Sequence, residues 1–191
     1  MTTSKNSKGL SPLMQIKTAR SLLIFTIYIC DGIEKGIIPP ELFNETLQLQ
    51  EDGKPFGRVR PLWKTTNLSD DVHNLKVGML GVCCIALDTA LDEAFDKKPE
   101  KYTNSDIDAL RAIIYMIRCA FAHNPILPVW DVSKKHQRQF SISELDLEMN
   151  FTTLNGQGVY GSQYGGWEGV FKLIDYCMKA VEPKSKRNNQ D

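Results

Sequence analysis

Apolar residues recur at three- and four-residue steps in four stretches of the chain. Leu13, Ile16, Ala19, Leu23, Ile27 and Cys30 predict a long first helix ending near Gly32, opened by Ser11 as a capping hydroxyl and by Pro12 at the first helical position. Pro39-Pro40 opens a shorter helix through Leu42, Leu47 and Leu49, and residues 51–69, rich in Gly, Pro and polar side chains, read as a long surface loop. Val72, Leu75, Met79, Val82, Ala86, Ala90 and Ala94 mark one face of a helix from about Asp70 to Phe95. Residues 103–108 supply hydroxyl caps and acids suited to a helix start, and Ile107, Leu110, Ile113, Ile114, Ile117 and Phe121 carry that helix to about His123. Pro125 and Pro128 stop it.

Strict alternation follows in 139–142 and 145–151, a small β-hairpin. A glycine-rich stretch reads as a flexible connector to a last helix from about Trp167 to Val181. The expected fold class is all-α, an up-down helical bundle with a small β-hairpin appendage near residues 139–151. Residues 11–182 form one domain, between a loose segment 1–10 and a polar tail 183–191.

Composition narrows the class. The 191 residues carry 23 Lys and Arg against 23 Asp and Glu, and 42% are apolar, as in an ordinary globular domain. Zero net charge argues against broad, charge-driven nucleic-acid binding. The longest apolar run, residues 22–30, is shorter than the roughly 20 residues of a bilayer span, and no cleavage site follows it. Five cysteines, Cys30, Cys83, Cys84, Cys119 and Cys177, lie in apolar helical stretches, where buried free thiols belong. A cytoplasmic protein with no membrane partner is expected.

Most candidate motifs fail on context. Gly156-Gln-Gly158-Val-Tyr-Gly161 spells a dinucleotide-binding fingerprint, but two further glycines delay the helix and too little chain follows for a second strand. His73, His123 and His136 are widely separated, so no metal site and no cofactor is expected. Asp88, Asp92 and Glu93 read as a solvated face, and the Cys83-Cys84 pair as packing.

Arg118 and His123 remain. Spacing alone is weak among seven arginines and three histidines. Context adds weight, because the helix around them is almost wholly apolar and a guanidinium there carries a desolvation cost unless an anion meets it. Five helical residues rotate about 140° and rise about 7.5 Å. Because the residue before a proline avoids the α region, the helix ends near Asn124, and His123 is free to swing toward a site that Arg118 also faces. The helix dipole favours imidazolium and Arg118 opposes it, which suits the histidine to proton transfer. The alternative is that both cations simply cap the last turn.

Arg118-Cys-Ala-Phe-Ala-His123 resembles the Arg-x4–6-His signature of the HEPN family (higher-eukaryote and prokaryote nucleotide-binding domains), and the helical order over residues 11–181 fits that family's bundles. The resemblance implies a metal-independent endoribonuclease, as in toxins and antiphage effectors. It also implies a homodimer whose two motifs line one cleft, with an antitoxin protein as a further partner. In that reading His123 is the general acid/base for attack of a 2′-hydroxyl on the adjacent phosphate, and Arg118 stabilises the phosphate, giving a 2′,3′-cyclic phosphate. The chain departs from the family in two places. Cys119 stands where many active members have a polar residue, and Pro125 where some have a modifiable tyrosine.

Two short basic stretches supply further candidate RNA contacts, Lys54, Arg58 and Arg60 around Phe56, and Lys134 and Lys135. Ordinary solvated loops are the competing reading of both. The competing function is a non-catalytic nucleotide-, RNA- or partner-binding helical module of the same fold.

Overall fold

The computed structural model describes residues 9–39, 41–42, 46–59, 67–95 and 102–187. Most of them are helical. Four long helices, α1 (Pro12–Glu34), α2 (Leu68–Ala94), α3 (Asp106–His123) and α5 (Gly166–Arg187), are accompanied by a single-turn α4 (Phe151–Leu154).

Local chemistry sets their ends. Ser11 accepts a hydrogen bond from the Met14 amide at 3.4 Å, with Pro12 next in the chain. Asn67 caps α2 through the Asp70 amide, and Ser105 caps α3 through the Asp108 amide at 3.2 Å. At the far end of α3, Asn124 turns extended (φ −152°, ψ 103°) as its proline neighbour requires. Its side-chain oxygen then accepts from the amides of Ile126 and Leu127, tightening the exit.

Side-chain pairs show that the long helices alternate in direction. Gln15 reaches Glu93 and Glu34 reaches Lys76, so α1 and α2 are antiparallel. Arg111 meets Asp92 while Phe121 abuts Gly81, so α2 and α3 are antiparallel. At the start of α5, Trp167 and Val170 share a cavity with His73 and Val77 from the start of α2, whereas Arg20 of α1 pairs with Asp175 farther along. The main core runs between them, with Leu23, Leu87, Leu110, Ile113 and Ile174 almost wholly buried, and Cys30, Ile33 and Val72 form a smaller second cluster between α1 and α2. By length and composition α1 and α2 are each apolar enough to cross a membrane, although the run within 22–30 is short.

The expected hairpin is present as β3 (Gln139–Ile142) and β4 (Leu147–Asn150), joined by a single 3-10 turn with Asp146 left-handed. Alternation works as the sequence predicts. Phe140, Ile142 and Met149 face inward and their neighbours face out. Phe151 closes the strand end, with Trp130 and Phe140 edge-on at 5.4 and 5.9 Å between centroids.

A second hairpin replaces the helix expected through Leu47 and Leu49 and part of the loop expected over 51–69. Strands β1 (Leu47–Glu51) and β2 (Lys54–Val59) pair antiparallel. Asp52 and Gly53 both have positive φ, 50° and 74°, the turn that Asp-Gly adopts most readily. Two further expectations change. The glycine-rich stretch is no flexible connector: Gly158 bridges Val129, and the Trp130 and Gly156 amides bond to Gln157 and Trp130 carbonyls. The last helix also continues past Val181 to Arg187, through the expected polar tail. Most of the expected loose N-terminus lies outside the described residues.

Candidate functional site

Arg118 and His123 occupy the last turns of α3, whose inner face is packed and whose outer face carries Arg118, Cys119, Ala122 and His123. The Arg118 side chain is 39% exposed and its Nε lies 3.8 Å from the Asp88 carboxylate, itself 10% exposed. The pair is therefore open to solvent on the arginine's side and closed on the aspartate's. One helical turn along α2 from Asp88, Ile85 is exposed, and Val82 beyond it is 54% exposed.

His123 remains in the helix as its last residue, so it does not swing round toward Arg118. Its Nε2 lies 3.9 Å from the Asp131 carboxylate, and both side chains are more than 70% exposed. Within one chain the two residues thus face different carboxylates, the splay that five helical residues impose.

The acidic residues of α2 are not a solvated face. Asp88 is buried against Arg118, and Asp92 lies 3.5 Å from Arg111, a guanidinium that is itself 8% exposed. Only Glu93 of the three is exposed. A buried arginine and its carboxylate must come as a pair, since either alone would be a costly charge in an apolar layer. The signal in the sequence was a single aspartate in the apolar run 80–91.

Compared with protein-family models, curated sequences and solved structures, the chain matches none.

The basic candidates are dispersed. Lys134 and Lys135 are exposed on a single 3-10 turn, whereas their neighbour His136 is fully buried, held by Ser133 and Tyr102 and stacked near Tyr115. Arg138 of the same stretch bonds the Tyr102 carbonyl. Lys54 is exposed at the start of β2, Arg58 lies on the same strand, and Arg60 lies outside the described residues. Among the described residues no group of three or more His, Cys, Asp or Glu is placed to hold a metal ion.

The thiols are chemically quiet where they are buried. Desolvation pushes Cys83 up to about 12, and Cys84 and Cys177 also well up, so the vicinal pair packs as neutral thiols. Cys119, beside Arg118, is partly exposed.

A cavity that sequence reasoning missed lies beyond the end of α3. It holds about 410 Å³ and is walled by Phe121, the segment from Ile126 to Val129, the glycine-rich stretch, the N-terminal half of α2 and the first turn of α5.

Proposed function

We propose that the chain is a HEPN-like, metal-independent endoribonuclease that works as a homodimer, of the kind used as toxins or antiphage effectors. Arg118 grips the scissile phosphate and stabilises the charge that develops on it. His123 moves protons. The 2′-oxygen bonds to phosphorus as its proton passes to one imidazole, the bond from phosphorus to the 5′-oxygen breaks, and the leaving oxygen takes a proton from a second imidazole. The product is a 2′,3′-cyclic phosphate.

The observation carrying this reading is the solvent-facing side of α3, where a guanidinium and an imidazole stand on an otherwise apolar helix end, each beside a carboxylate and each still accessible. Their divergence within one chain supports a two-chain site, because a second copy offers the histidine that its own arginine lacks. Val82 and Ile85, within two turns of Asp88 on α2, are exposed, as are Leu75 farther along α2 and Leu22, Phe25 and Tyr28 on α1, apolar residues that a second copy would cover. Asp88 pairs with Arg118, and Asp131 lies 3.9 Å from the His123 ring.

The test is RNA incubated with purified protein in EDTA. Cleavage that persists there and disappears in His123→Ala is expected, and the exposed position of His123 lets alanine leave the fold intact. Cleavage that needs added metal, or that survives His123→Ala, refutes the assignment.

The Asp88 contact favours a second reading, a non-catalytic nucleotide- or RNA-binding module, because an arginine already paired to a carboxylate offers less field to a transition state. That reading expects binding without turnover, weakened by Arg118→Ala and indifferent to His123→Ala.

A further inference from the structure

The cavity at the end of α3 has the chemistry of a site for a flat, uncharged heterocycle. Its volume of about 410 Å³ lies in the range of small-molecule sites. Five rings stand in a wall that is otherwise aliphatic and glycine, with Phe121, Tyr160, Tyr164 and Trp167 contributed by three separate segments and His73 by α2. Among the described residues no Lys, Arg, Asp or Glu lines it, so the described wall offers no charged group to a phosphate or a carboxylate. An occupant must keep its charge outside and place a neutral, ring-shaped portion within.

Two features show how the fold holds those rings. The segment after Asn124 returns as Val129, bridges Gly158 and brings the glycine-rich stretch across the end of α3. Gly158 then seats the Tyr160 ring. A Cβ there would stand 3.0 Å from both the ring's Cζ and its hydroxyl oxygen, yet the tyrosine remains 63% exposed. Trp167, 39% exposed, occupies another part of the rim. The two partly exposed rings, Tyr160 and Trp167, offer π-faces on which any base can stack. Tyr160 and His73 in the wall carry groups able to hydrogen-bond the edge of a ring.

We propose that this cavity binds a nucleobase, stacked against Tyr160 and Trp167, with sugar and phosphate left outside. The wall includes Phe121, two residues before His123, and resumes at Ile126, three residues after it, so the base site and the candidate catalytic residue share one end of α3. The inference deepens the RNA-cleaving reading and rests on it for the source of the base. It identifies the subsite that selects which nucleotide lies beside the cleaved bond.

Nucleoside binding, which needs neither phosphate nor turnover, tests the site separately from the nuclease reading. Calorimetric titration with adenosine, guanosine, cytidine and uridine is expected to show saturable binding of at least one. Tyr160→Ala and Trp167→Ala should each weaken it roughly tenfold, the low-to-middle range of one stacking contact. Gly158→Ala should weaken it as well by displacing the Tyr160 ring, and circular dichroism should show all three variants folded. A hexaribonucleotide binding more tightly than the matching mononucleotide, with a base preference in cleavage that Tyr160→Ala erases, assigns the base to RNA. Mononucleotide binding that the hexamer fails to displace assigns it to a free nucleotide. Nucleoside binding in a protein that cleaves nothing leaves the cavity assignment standing and removes only the nuclease. Absence of saturable nucleoside binding at millimolar concentration, or binding indifferent to Tyr160→Ala, Trp167→Ala and Gly158→Ala in folded protein, overturns the proposal.

Discussion

Gly78 and Gly81 sit three residues apart on α2, and replacing each by alanine should move stability in opposite directions. A Cβ on Gly81 would lie 2.8 Å from Cδ1 of Phe121, 3.0 Å from its Cβ and 3.1 Å from its Cγ, whereas nothing lies within 4 Å of one on Gly78. Carbon pairs prefer about 3.5–4.0 Å. Turning the ring relieves the Cδ1 contact but not the Cβ contact, which is tied to the α3 backbone, and Phe121 is only 4% exposed. Overpacking of this kind costs about 1–3 kcal/mol, against about 0.5–1 kcal/mol returned by replacing a helical glycine with alanine. Gly81→Ala should therefore lose roughly 1–2 kcal/mol and Gly78→Ala gain roughly 0.5–1 kcal/mol. At about 2–4 °C per kcal/mol for a chain of this size, melting should shift by roughly −2 to −8 °C and +1 to +4 °C. Thermal melts followed by circular dichroism, with urea denaturation alongside, read both. Because Phe121 lies between Arg118 and His123, Gly81→Ala should also slow RNA cleavage while Gly78→Ala leaves it intact. Equal stabilisation by the two alanines would falsify the close approach of α2 to α3.

Three other outcomes follow from the same packing. Asp88→Asn removes the charge beside the partly exposed Arg118 and should cost about 1 kcal/mol, the upper range of a partly solvated ion pair, read as a lower urea midpoint. Thiol labelling under native conditions should modify Cys119 quickly and Cys30, Cys83, Cys84 and Cys177 only on unfolding; rapid labelling of two or more sites contradicts the burial. Burial raises both Tyr102 and Tyr164 from the ordinary value of 10.0 to about 12. Their folded pKa exceeds the unfolded one, so their contribution is intact below pH 10 and is lost as pH climbs toward 12. The loss should reach about 3 kcal/mol each, and urea midpoints at pH 8, 10 and 11.5 should fall, with a shallower fall in Tyr102→Phe.

The four long helices were legible because each carries its own evidence. The three- and four-residue steps name the buried face, and Ser11, Ser105 and Pro125 mark boundaries through strictly local sterics and hydrogen bonds. The hairpin at 139–151 was legible for the same reason, a period of two that needs no knowledge of the rest of the chain. Leu47-Gln-Leu-Gln followed by Asp52-Gly53 carried the same local signal for β1 and β2, and reading its leucines as helical obscured it.

By itself, then, the sequence determined the four long helices, the caps that start α1 and α3 and the proline stop of α3, and that Arg118 and His123 share the last turns of α3. Such properties depend on dihedral preferences and on contacts a few residues apart. Only the tertiary structure decided which carboxylate each cation meets, since Asp88 lies 30 residues before Arg118 and reaches it through the packing of α2 on α3. It also decided that His123 turns to Asp131, and that the glycine-rich stretch is pinned across the end of α3 to enclose a cavity. Contacts of that range are set by how whole faces fit together, and no periodicity records which face a given side chain will meet.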